Sequence, residues 1–128
     1  MKYRTRKLIK PADLNGNGTL FGGQVLKWID EEASIFTICQ IGEINLLQKK
    51  STIVTKAMSE INFVSSGNLG DVIEIGCDLV SVGKTSLTIC CEVRIKSSKQ
   101  TIIKVDKIVF VMVDESGKPK EHGKKSIN

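Results

Sequence analysis

Two features of this chain have residue types that could do chemistry. The first is the run Asn15-Gly16-Asn17-Gly18-Thr19-Leu20-Phe21-Gly22-Gly23, which delivers two glycines to the start of an expected helix. Glycine at positions 22 and 23 lets a ligand approach bare backbone N–H groups, and the helix dipole adds positive potential there. Such a turn can polarise a thioester carbonyl and stabilise the oxyanion formed when that carbonyl is attacked. The second feature is Asp30. A carboxylate beside the apolar stripe of a wrapped helix is partly desolvated and can act as general base toward water or as a nucleophile. Its neighbours Glu31 and Glu32 carry the same group, and periodicity alone does not choose among the three. The plain alternatives are glycines that only make tight turns and acids that only face solvent.

The rest of the inventory narrows the chemistry. The single histidine, His122, stands among Lys and Gly near the C-terminus and reads as a solvated tail residue, which disfavours Ser-His-Asp and Cys-His mechanisms. Cys39, Cys77, Cys90 and Cys91 form no CxxC pair and make a poor metal set, so they read as buried small apolar residues in a reducing compartment. No P-loop or dinucleotide-binding glycine pattern is present. The net charge of +5 suits an anionic partner, and aromatics, at 5%, do not interleave with the basic residues as a stacking platform for nucleic acid requires. No run approaches the roughly 18 apolar residues of a membrane helix. The basic opening run has no apolar stretch behind it, so no signal peptide is expected and the cytoplasm is the expected location.

These groups need elements to position them, and the chain reads as one domain over residues 1–119 with a flexible basic tail over 120–128. Val25, Leu26, Ile29, Ala33 and Phe36 recur at spacings of three and four, predicting a helix from about 23 to 40 that stops at Gly42. At about 100° per residue Asp30 lies on the flank of that stripe. Strands are predicted over 2–9, 51–64, 71–81, 85–97 and 101–114, separated by Gly83 and the Ser97–Gln100 hairpin. Long strands with little helix between them imply an antiparallel sheet of about five strands. One apolar helix must then be buried against one face of that sheet, giving an α+β fold. Open edge strands make pairing between two copies the natural way to cover them.

The run from Leu14 through Gly22-Gly23-Gln24-Val25-Leu26-Lys27-Trp28-Ile29-Asp30 to Ala33 resembles the signature of hotdog acyl-CoA thioesterases of the YciA and brain acyl-CoA hydrolase type. Asn62-Phe63 with Gly70-Asp71-Val72, the turn Gly83-Lys84-Thr85-Ser86 and the closing stretch from Phe110 to Pro119 are similar to later family motifs. Ser59 and Ser65-Ser66 depart from the family's Asp and basic-Pro positions. The resemblance implies a hotdog fold, a central helix wrapped by a curved sheet, and a homodimer often assembled as a trimer of dimers. It implies Asp30 as catalytic carboxylate, Asn15 as its polar partner from the other subunit, and the backbone at Gly22 and Gly23 as the carbonyl-polarising turn. It places Gly83, Lys84, Thr85 and Ser86 near the CoA phosphates, and it implies hydrolysis of acyl-CoA without metal or redox cofactor, with Trp28 and Phe36 along the acyl chain. A hotdog dehydratase or hydratase would rely on a buried histidine. A non-catalytic acyl-CoA sensor acting in transcription would carry a DNA-binding segment for which the opening residues leave no room.

Overall fold

The β-branched runs form the strands that their composition predicts. In the computed structural model, which describes residues 1–125, β1 spans Lys2–Leu8, β2 Thr52–Phe63, β3 Val72–Val82, β4 Ser86–Ile95 and β5 Thr101–Val113. They pair antiparallel in one sheet of order β1-β3-β4-β5-β2, so β1 and β2 are its edges. Along β4, Leu87, Ile89, Cys91 and Val93 are buried on the inner face, while their neighbours are only half-buried. On the outer face, Glu74 is buried beside Arg94 (2.8 Å) and Lys99 (3.2 Å).

The helix α1, Gly22–Ile41, lies against the inner face and contacts β2, β3, β4 and β5. One long helix enclosed by a curved antiparallel sheet is the hotdog arrangement. Its buried row runs Val25, Ile29, Ala33, Thr37 and Ile41, with Trp28 alongside. This corrects the predicted stripe, because steps of four residues drift around the helix axis and carry the contact to Thr37 while Leu26 and Phe36 are only partly buried. The hydroxyl of Thr37 is satisfied by the Ala33 carbonyl at 2.8 Å, which makes a polar residue tolerable there.

Three further expectations are corrected. Cys39 is exposed on the outer side of α1 and Cys90 is half-buried, so only Cys77 and Cys91 behave as core residues. A second short helix, α2, spans Glu43–Gln48 after Gly42, whose φ of 97° suits glycine and lets the chain turn. His122 is not solvated: it is 1% exposed and packs against the body of the domain. Residues 126–128 of the predicted tail lie outside the described residues.

Ile29 is fully buried at the centre of the helix–sheet contact, whereas Ile35 is 56% exposed. Ile29→Ala is expected to lower unfolding free energy by about 2–5 kcal/mol and Ile35→Ala by less than about 1 kcal/mol, read from urea denaturation midpoints.

Candidate functional site

The loop before α1 is bracketed by one buried carboxylate. Pro11–Asp13 forms a single 3-10 turn, and Asp13 at its end is 3% exposed. Its Oδ2 accepts the Lys10 N–H at 2.9 Å, and its Oδ1 accepts Gln24 Nε2 at 2.8 Å from the first turn of α1. The Asp13 carbonyl also accepts the Phe21 N–H at 2.8 Å. The two ends of the 14–21 loop are therefore tied to one residue. The Lys10 N–H holds the Asp13 carboxyl below the usual carboxylate range, with Gln24 assisting, while burial opposes them.

Within that loop Asn15 is spent on local order. Its Oδ1 accepts the N–H groups of Asn17 (2.9 Å) and Thr19 (3.2 Å), and its Nδ2 donates to Thr19 Oγ1 at 3.0 Å. The helix then opens at Gly22 with no side-chain cap. The first-turn N–H groups of a helix have no acceptor within it, so those of Gly22 and Gly23 are free to meet a ligand. Side chains here would be crowded: a Cβ on Gly23 would sit 2.7 Å from the Phe21 ring and force it to move, and one on Gly22 would make a tight contact of 3.3 Å with the Phe63 ring. Beside Gly22 is a cavity of about 360 Å³, with Asn15 and Thr19 at one side and Leu20, Val25, Phe63 and Ile102 supplying apolar wall. Neither Trp28 nor Phe36 lines it.

Asp30, two turns along α1, faces β2. Its Oδ1 accepts Thr55 Oγ1 at 2.8 Å, and its backbone carbonyl accepts Ser34 Oγ at 2.7 Å. The ladder between β2 and β5 shifts register just after Thr55, a bulge of the kind that re-aims a side chain at a sheet edge. Asp30 does not line the cavity at Asn15 and Gly22, so one chain does not bring these groups into a single pocket. Around the same edge Phe21, Val54, Phe63 and Val64 are exposed.

The 83–86 turn lies elsewhere. Gly83 N–H donates to the Ser86 carbonyl at 2.9 Å, and a Cβ on Gly83 would sit 2.5 Å from Ser86 Oγ. The Thr85 carbonyl accepts the Met112 N–H at 2.8 Å, tying the turn to β5. No group of three or more His, Cys, Asp or Glu side chains among the described residues is placed to hold a metal ion. No helix among them is long and apolar enough to cross a membrane.

Residues 17–102 match the sequence model of the Thioesterase superfamily, a span that contains the glycine turn, Asp30, Thr55 and the 83–86 turn. The chain belongs to that superfamily. An uncharacterized acyl-CoA thioester hydrolase of Buchnera aphidicola subsp. Baizongia pistaciae is 35% identical over 125 residues, covering 93% of this chain and 87% of the relative. The acyl-CoA thioester hydrolase YciA of Escherichia coli is 31% identical over 121 residues, covering 90% of this chain and 86% of that one. A crystal structure described as an apo-hexameric acyl-CoA thioesterase superposes with a TM-score of 0.76 at 30% identity, over 91% of this chain and 72% of that one.

Asp13, Thr55 and His122 are the residues that the sequence reading did not single out as ordering these parts of the superfamily fold. Asp13 carried a faint signal, since Pro followed two residues later by Asp is a helix-start pattern. Thr55 carried none.

The depressed Asp13 carboxyl fixes the sign of a pH effect. Its stabilisation is complete above the unfolded-chain value of about 3.9 and is lost as pH falls through the lower folded value. Asp13→Asn is expected to cost about 1–3 kcal/mol near neutrality, a gap that closes as pH falls below about 4 in urea titrations of both proteins.

Proposed function

We propose that this protein is an acyl-CoA thioesterase, hydrolysing the thioester to a free acid and CoA. The observation that carries the reading is the Asp30 carboxylate, held by Thr55 at the free edge of the sheet. The acyl-CoA thioester hydrolases among its relatives supply the substrate class.

In this reading the thioester carbonyl meets the N–H groups of Gly22 and Gly23, whose orientation along the helix dipole favours an oxyanion. Thr55 occupies one oxygen of Asp30 and so orients the other toward a water. Asp30 takes the water's proton as the oxygen attacks the carbonyl carbon. The tetrahedral intermediate then collapses, the C–S bond breaks, and the proton passes to the departing thiolate of CoA. Asn15 keeps the loop in shape and presents its remaining amide capacity to water or substrate. The apolar wall of Leu20, Val25, Phe63 and Ile102 suits the acyl chain. No metal or redox cofactor enters this scheme.

A second copy completes the site in this reading. The β2 edge and its exposed apolar residues pair with the same edge of a partner, bringing the Asn15 loop and Gly22 turn of one protomer to Asp30 of the other. A homodimer assembled as a trimer of dimers is the proposed form, in line with the hexameric thioesterase it resembles. Unbridged Cys77 and Cys91, paired across β3 and β4, fit the reducing cytoplasm.

The test is spectrophotometric release of CoA thiol from short, medium and long acyl-CoAs. Asp30→Asn is expected to lower kcat by at least about a hundredfold with the circular dichroism spectrum unchanged. Thr55→Val is expected to lower kcat about tenfold with little change in KM, and Thr55→Ser to restore it, because only the hydroxyl is needed. A chain that binds acyl-CoA and releases no thiol from any of them contradicts the reading and makes it a sensor.

A further inference from the structure

Cys77 and Cys91 are buried thiols with no part in the proposed hydrolysis. They stand directly opposite each other in the antiparallel ladder of β3 and β4, inside a register that runs unbroken from Ile73 opposite Ile95 to Leu79 opposite Ile89. Both face inward, since Ile73, Ile75 and Cys77 share the core with Leu87, Ile89, Cys91 and Val93. Directly opposed residues of such a ladder have Cα atoms about 4.5–5.5 Å apart, within the roughly 4.4–6.8 Å that a disulfide spans. Cys90 turns the other way, opposite the exposed Asp78, and Cys39 is exposed on α1. The fold thus selects one pair from four cysteines.

The two thiols are unequal. A hydrogen bond from the Cys91 thiol to the Cys77 sulfur, backed by burial, pushes the Cys91 thiol up, and the Glu32 carboxylate of α1 adds to the effect. Glu32 is itself held by Thr5 of β1, whose Oγ1 donates to Oε2 at 2.6 Å. Cys91 therefore keeps its proton and points it at Cys77. Cys77 is the nearer to solvent, 6% exposed against 2% for Cys91. Its partner on the other side is Lys2, the first rung between the edge strand β1 and β3. The end of an edge strand opens locally at far lower cost than the whole domain.

We infer that Cys77 and Cys91 form a reversible oxidation site, closed to a cross-strand disulfide by a hydroperoxide and reopened by a dithiol. Cys77, reached as the start of β1 opens, attacks the peroxide as thiolate. The O–O bond breaks, one oxygen leaves as water, and Cys77 becomes a sulfenic acid. The Cys91 sulfur then attacks the Cys77 sulfur, the S–O bond breaks, and the Cys91 proton leaves with the hydroxide as a second water. Two thiols are oxidised to one disulfide while the peroxide is reduced to two waters. The cross-link closes the chain between 77 and 91 in the unfolded state as well, so the oxidised protein is the more stable form. None of this depends on the thioesterase reading.

The test is exposure of the folded protein to hydrogen peroxide, followed by unfolding, alkylation of free thiols, intact mass spectrometry and peptide mapping. It is run on wild type and on Cys39→Ser/Cys90→Ser, in which only the proposed pair remains. Both are expected to lose two thiol hydrogens to a bond between Cys77 and Cys91, and dithiothreitol to restore them. The oxidised double variant is expected to unfold about 5–10 °C higher than its reduced form. Cys91→Ser is expected to stop at the Cys77 sulfenic acid and to be labelled there by dimedone. If that variant fails to fold, the mapping of wild type still decides. Cys77 and Cys91 that both remain alkylatable after peroxide has oxidised the exposed Cys39 overturn the site. A bond through Cys90 overturns the pairing, and a folded Cys91→Ser protein without label on Cys77 overturns the order of attack.

Discussion

Burial of one spiral row of α1 against the sheet governs the rest of the molecule. Val25, Ile29 and Ala33 are almost fully removed from water, and the strands that cover them must bend around the helix to do so. A fully buried aliphatic side chain contributes roughly 1.5–3 kcal/mol, so several of them in one row dominate the local energetics. Holding that row fixes the rotation of the helix, and the rotation fixes Asp30 toward β2 and its hydroxyl partner Thr55. The same constraint fixes where the helix begins. Asp13 and Gln24 then clamp the preceding loop to that first turn, so the glycine N–H groups point in a set direction.

The sheet that satisfies the helix leaves β2 unpaired on one side. An edge strand of twelve residues with apolar side chains beside it is a template for another chain unless it is covered. In the proposed dimer the covering also finishes the chemistry, since the cavity at Asn15 and Gly22 contains no carboxylate and Asp30 lies outside it. The opposite end of the molecule has its own logic. There a turn between β3 and β4 and a returning tail share one carbonyl acceptor, and the charge gathered around them is positive.

The strands and α1 were legible because each is a long run with one dominant period, bounded by Gly or polar turns. The packing of one apolar helix on one antiparallel sheet followed from the need for burial, and the curling of that sheet into a hotdog from the family resemblance. The details that escaped are those that depend on contacts distant in sequence. α2 has only six residues, too few to nucleate alone or to show a period. Thr37 stood outside the predicted apolar stripe, yet it is buried with its hydroxyl satisfied by the Ala33 carbonyl. The Thr55 to Asp30 bond joins residues 25 apart across two elements, and no local pattern announces it. His122 misled because a Lys- and Gly-rich segment reads as solvated, while its burial comes from bonds to Lys84, Ser86 and Asn45. The glycine turn could be singled out by type and place and Asp30 over Glu31 and Glu32 only by the family resemblance, while their separation within one chain could only be seen in three dimensions.

The central claim is a site shared between two copies, and subunit mixing tests it most directly. Asp30→Asn and Asn15→Ala proteins, each with little activity, would be dissociated together, reassembled and assayed for acyl-CoA hydrolysis. A shared site leaves one intact centre in every mixed dimer, so the account predicts recovery to about a quarter of wild-type activity at equal mixing. No recovery, with mixed dimers shown to form by mass spectrometry, would place the working groups within a single chain and contradict it.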